Sequence, residues 1–151
     1  MNTHSGSKQR LLVSAISILL GFVLIVAGIG KSRVPAEGIN EVMSLLSVSP
    51  TTAASLLVIL MAAELTLGSF LITVRHSNIV LRVCVALFFI FAFVHVVFIM
   101  QGVQYCNWAG KWGAAIPRWA MVLIDSGLAV LALKAVRTLR SPARNSGAPA
   151  A

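Results

Sequence analysis

Four long apolar runs dominate this chain: Leu11–Gly30, Ala53–Val74, Val83–Met100 and Pro117–Val136. An α-helix rises 1.5 Å per residue, so about 20 residues cross the roughly 30 Å hydrocarbon core of a bilayer. Backbone N–H and C=O groups have no water to bond there, and a helix satisfies them within one segment. The runs therefore predict an all-α fold, an integral membrane four-helix bundle. Only 11% of the residues are charged, against about 25% in a soluble domain.

The net charge of +8 raises the question of nucleic acid, which basic patches bind. Here the basic residues flank the apolar runs, so they read as orientation signals and exclude nucleic acid as the partner. With the N-terminus inside, the inner segments carry Lys8, Arg10, Arg75, Arg82, Lys134, Arg137, Arg140 and Arg144, and the outer segments carry Lys31, Arg33, Lys111 and Arg118. That excess predicts an inner-membrane protein with both termini in the cytoplasm and extracytoplasmic loops at 31–52 and 101–116. The first run is longer than a signal-peptide core and lacks a small-x-small cleavage site, so it is expected to remain as a span.

The first outer loop carries its own pattern. Pro35 suits the first turn of a helix, and Ile39, Val42, Met43 and Leu46 recur at i, i+3, i+4 and i+7. They predict a short amphipathic helix on the membrane surface. Ser49-Pro50 is a cap and start signal for the second span. The second outer loop contains Tyr105, Trp108 and Trp112, rings that settle at the interface. Residues 1–10 are expected to form a cytoplasmic terminus. Residues 139–151, small, polar and Pro-containing, are expected to form a disordered cytoplasmic tail.

Ser14, Ser17, Gly21 and Gly28 share one face of the first span. Small residues let helix backbones approach closely, which serves packing within the chain or dimerisation.

Ionisable groups inside spans are costly and are usually paired, functional or both. Glu64 falls near the middle of the second span. His95 lies about 8 Å and Asp125 about 12 Å below the outer end of their spans, at 1.5 Å per residue. Lys31 and Arg118 sit at the outer rim and are long enough to reach inward toward Glu64 and Asp125. Two readings follow: a buried ion-pair network that fixes the helices in register, or a polar cavity that binds a small redox ligand or relays protons. No second His or Cys stands at ligand spacing from His95, so no metal site is expected.

Of the two cysteines, Cys84 lies within the third run and Cys106 in the second outer loop. Falling near opposite ends of one span, they are not expected to bond to each other. Cys106 is the candidate reactive thiol, near Lys111, yet no C-x-C or C-x-x-C accompanies it. A single thiol forms a mixed disulfide but closes no intramolecular one.

The sequence G-I-G-K at Gly28–Lys31, A-E-L-T-L-G at Ala63–Gly68, the cysteine-bearing loop Gly102–Gly110 and P-R-W at Pro117–Trp119 resembles the MauE/DoxX family of four-helix membrane proteins. The resemblance spans about residues 11–138. MauE-like members carry a C-G-C-F-G-type cluster where this chain reads Cys106-Asn107-Trp108-Ala109-Gly110, so the second cysteine is missing. The resemblance implies redox-associated work at the outer face. For a MauE-like protein this is accessory help in maturing an extracytoplasmic partner such as the methylamine dehydrogenase small subunit. For a DoxX-like protein it is a quinone-interacting subunit of a membrane oxidoreductase. A purely structural subunit of a membrane complex is the third reading. The expected partners are the lipid bilayer and an extracytoplasmic redox protein or membrane complex subunits. No cofactor signature is evident in the residues themselves; a quinone enters through the resemblance. An accessory role is expected over a stand-alone enzyme.

Overall fold

A computed structural model describes residues 3–74, 77–103 and 116–140. Among them are five α-helices and no strand: α1 (Thr3–Arg33), α2 (Pro35–Leu46), α3 (Pro50–Thr73), α4 (Asn78–Met100) and α5 (Arg118–Arg140). Four of these, all but α2, are long and apolar enough to cross a membrane. The protein is thus a multi-pass membrane protein, and four crossings return both ends of the chain to the same side.

Local signals start and stop the helices. Ser49 caps α3 by accepting a hydrogen bond from the Thr52 N–H, with Pro50 in the first turn. Ser77 caps α4 in the same way through the Val80 N–H. Both use a side-chain oxygen to satisfy one of the amides that a helix start leaves unbonded. Pro35 opens α2, and Ser47 closes it in the left-handed region (φ 53°), where its N–H reaches Met43 O. The helices outrun the apolar runs. α1 begins at Thr3, inside the expected terminal segment, and α5 continues to Arg140, so residues 139 and 140 of the expected tail are helical. Backbone hydrogen bonding continues a helix past the point where its side chains turn polar.

Each span buries a stripe with heptad spacing. It runs through Val13, Ser17, Leu20, Leu24 and Lys31 in α1, and through Leu81, Cys84, Phe88, Phe91, His95 and Phe98 in α4. α3 buries Leu57, Glu64, Gly68 and Leu71, and α5 buries Arg118, Asp125, Ala129, Ala132 and Val136. The outward residues, among them Phe22, Ile59, Phe93 and Leu123, are as apolar as the core. In lipid nothing drives helices together by hydrophobicity alone, so close packing has to do it. Large side chains of α4 and alanines of α5 line the shared core.

α1 and α3 meet at two glycines. A Cβ added to Gly21 would stand 2.7 Å from Gly68 O, and one added to Gly68 would stand 2.7 Å from Gly21 O. A methyl group on either side would force the two backbones apart, so this crossing favours glycine on both sides. The small face expected for α1 therefore packs within the chain at Gly21 and Gly28, the latter against Leu65.

α1 packs closely on α3 and α4 on α5, whereas α3 and α4 touch sparsely. α2 lies on α3, at the end of the bundle opposite the chain termini. A gap between α3 and α4, roofed by α2, follows from this arrangement.

Candidate functional site

The buried stripes stay apolar near the chain termini and turn polar toward α2. Lys31, Glu64, His95, Arg118 and Asp125 all occupy core positions, each no more than 4% exposed. They come from all four spans, and α2 adds Glu41. Three of the four acidic residues in the chain, Glu41, Glu64 and Asp125, therefore lie in one cluster.

Two ion pairs anchor it. Lys31 Nζ donates to Glu64 Oε1, joining α1 to α3. Arg118 Nη2 donates to Glu41 Oε1, joining α5 to α2. Arg118 Nη1 also stands 3.5 Å from His95 Nδ1, and His95 Nε2 stands 3.5 Å from Asp125 Oδ2. Both cations lie over aromatic rings of α4. Lys31 Nζ is 5.5 Å from the centroid of Phe91, and the Arg118 guanidinium is 4.2 Å from that of Phe98. Ring faces attract desolvated cations, which helps offset the loss of water around these groups.

Lys31 lies near the end of α1 and Arg118 at the start of α5, and α2 covers the bundle end there and leaves them 3% and 1% exposed. Lys31 does reach Glu64. Arg118 does not pair with Asp125, although the two share a face of α5; it turns to Glu41 and His95, and Asp125 faces His95.

Glu41 was not among the expected site residues. Ile39, Val42 and Met43 of the expected stripe are half-buried and Leu46 is 52% exposed, while Gly38, Glu41, Val42 and Leu45 line the bundle interior. Gly38 sets the close approach. A Cβ there would press on the Leu57 side chain at 3.0 Å, so the bare glycine is what lets α2 settle on α3.

Under α2 lies a cavity of about 200 Å³, walled by Leu57 and Leu60 of α3 and by Ile90, Phe91, Val94 and Phe98 of α4. Lys31, Val34, Gly38, Glu41, Val42 and Leu45 complete it. Among the described residues, the charged groups in its lining are Lys31 and Glu41, both held in ion pairs. Ile90 is also 56% exposed on the outside of the bundle, so the cavity borders the lipid.

No protein-family model, curated protein or solved structure matches this chain. The geometry alone thus carries the functional reading. Among the described residues no three His, Cys, Asp or Glu side chains could hold a metal ion together. Cys84 is buried in the core. Tyr105, Cys106, Trp108, Lys111, Trp112 and the tail from Ser141 lie outside the described residues.

Proposed function

We propose that this protein binds a small, neutral, lipid-soluble ring compound of the quinone class in the cavity between α3 and α4, as an accessory subunit of a membrane redox system. The observation that carries this reading is the cavity itself: apolar walls open toward lipid, two aromatic rings, and ion-paired charges at one end. Because both nearby cations already face carboxylates, an anionic ligand would gain little. A neutral ligand with carbonyl oxygens suits the Lys31 ammonium, which has three donor hydrogens, while its ring packs against Phe91 and Phe98. About 200 Å³ suits one ring-sized headgroup, since pockets for drug-sized molecules run to roughly 300–1,000 Å³. A tail would extend past Ile90 into lipid.

The balance of Lys and Arg supports an orientation with both termini in the cytoplasm, which places the cavity at the extracytoplasmic side of the inner membrane. The sequence resemblance to the MauE/DoxX family agrees with a redox-associated role. Its MauE branch supplies a second reading, assistance in disulfide maturation of an extracytoplasmic partner through Cys106, and that reading rests on the sequence.

The test uses full-length protein in lipid nanodiscs and a photoreactive short-tail quinone. Saturable labelling of α3 or α4 that is lost in Val94→Trp supports the proposal. Labelling that is unsaturable, or unchanged by Val94→Trp in a normally folded variant, overturns it.

A further inference from the structure

The cluster has an odd charge count. Among the described residues it comprises three carboxylates, two cations and one imidazole. Lys31 with Glu64 and Arg118 with Glu41 form two neutral pairs. Asp125 is left facing His95 across 3.5 Å, with the carboxyl 4% and the imidazole 2% exposed. A carboxylate there would give the bundle interior one uncompensated negative charge, and such a charge in a low-dielectric interior is very costly.

Every element packed around Asp125 contributes to its surroundings. Lys31 of α1 and Glu64 of α3 lie within electrostatic reach of it, and their charges cancel. His95 Nε2 of α4 stands 3.5 Å from its Oδ2. On α5, Arg118 is committed to Glu41 of α2 and faces the far nitrogen of His95.

Arg118 decides where a balancing proton can go. A guanidinium only donates and does not give up its proton in proteins. Its Nη1 faces His95 Nδ1, so Nδ1 is the accepting nitrogen and Nε2 carries the ring hydrogen toward Asp125 Oδ2. A proton added to Nδ1 would set two donors against each other. We infer that Asp125 is a proton-binding site: it holds one exchangeable proton as a neutral carboxylic acid, with His95 Nε2 facing Oδ2 across 3.5 Å and Arg118 fixing the tautomer.

Two buried oxygens extend the site. Glu64 Oε2 and Asp125 Oδ2 have no hydrogen-bond partner among the described residues, and an ordered water is the usual bridge between such atoms. It would connect Asp125 through Glu64 to Lys31 on the cavity wall.

Infrared spectroscopy of the full-length protein in nanodiscs, with no ligand added, tests the site. At neutral pH we expect one carboxylic-acid C=O band that shifts on exchange into deuterated water, disappears in Asp125→Asn and persists in Glu64→Gln. Asp125→Asn keeps the shape and neutrality of the acid, so it should retain wild-type thermal stability and detergent elution. If it misfolds, Asp125→Glu serves instead and should shift the band. Absence of the band in the wild type, or its survival in folded Asp125→Asn, overturns the inference.

Discussion

Arg118 at the start of α5 is held by Glu41 of α2, 77 residues earlier in the chain. The pair is the polar link between the roof helix and the four spans. The Glu41 side chain is 15% and that of Arg118 1% exposed, so losing the acid strands a guanidinium that water cannot reach. Removing one partner of a buried pair costs about 3–5 kcal/mol. Glu41→Ala should therefore lower the unfolding midpoint clearly in a detergent titration. Arg118→Met should restore much of the loss in the double variant, because an apolar pair leaves no orphaned charge. Additive losses in the double-mutant cycle would show that the two side chains do not interact.

The pair Lys31–Glu64 makes a parallel case one layer deeper. Lys31→Met leaves the Glu64 carboxylate, 0% exposed, without its cation. Glu64→Gln replaces the anion facing the ammonium with a neutral, weaker acceptor. Each single variant should be less stable than Lys31→Met/Glu64→Gln combined, with a coupling of about 0.5–3 kcal/mol. Equal stability of all three variants would remove the pair from the account of what joins α1 to α3.

The spans were legible because apolar length is a strong signal, and Glu64, His95 and Asp125 were legible because a polar residue within such a run stands out. Their convergence was legible only in part. Arg118 and Asp125 stand seven apart on α5, which suggested a pair, but sequence spacing carries no information about a competing acid on another helix. Glu41 stands off the apolar stripe Ile39, Val42, Met43 and Leu46, so that pattern gives it no role. Two facts could have singled it out: the chain has four acids in all, and Arg118 needs a partner wherever it is buried. The close approach of α2 to α3 was not legible, because it is made by Gly38 against Leu57 and not by an apolar side chain.

The crossing of α1 and α3 gives a prediction independent of charge. Gly21→Ala and Gly68→Ala each drive a methyl group against a backbone oxygen. Overpacking of this kind costs about 1–3 kcal/mol, and the helices can relieve it only by moving apart. Both variants should unfold at lower denaturant than wild type. Gly127→Ala is the control, because a Cβ there meets nothing within 4 Å and alanine favours the helix by about 1 kcal/mol. Should Gly68→Ala be as stable as Gly127→Ala, the glycine contact is not part of the fold.

Cysteine chemistry tests orientation without any ligand. The excess of Lys and Arg on the segments flanking the termini predicts that the loop with Cys106 lies outside the cytoplasm. Cys84, 0% exposed on the inner stripe of α4, provides an internal reference because a thiol in that position is shielded from a polar reagent. In intact cells, or spheroplasts where an outer membrane blocks access, a membrane-impermeant maleimide should add one label to the wild type and none to Cys106→Ser. Denaturation should expose a second thiol in the wild type and the single remaining one in the variant. If Cys106 reacts only after the membrane is broken, both termini lie outside. The cavity under α2 would then face the cytoplasm, and a partner for it would have to be sought there.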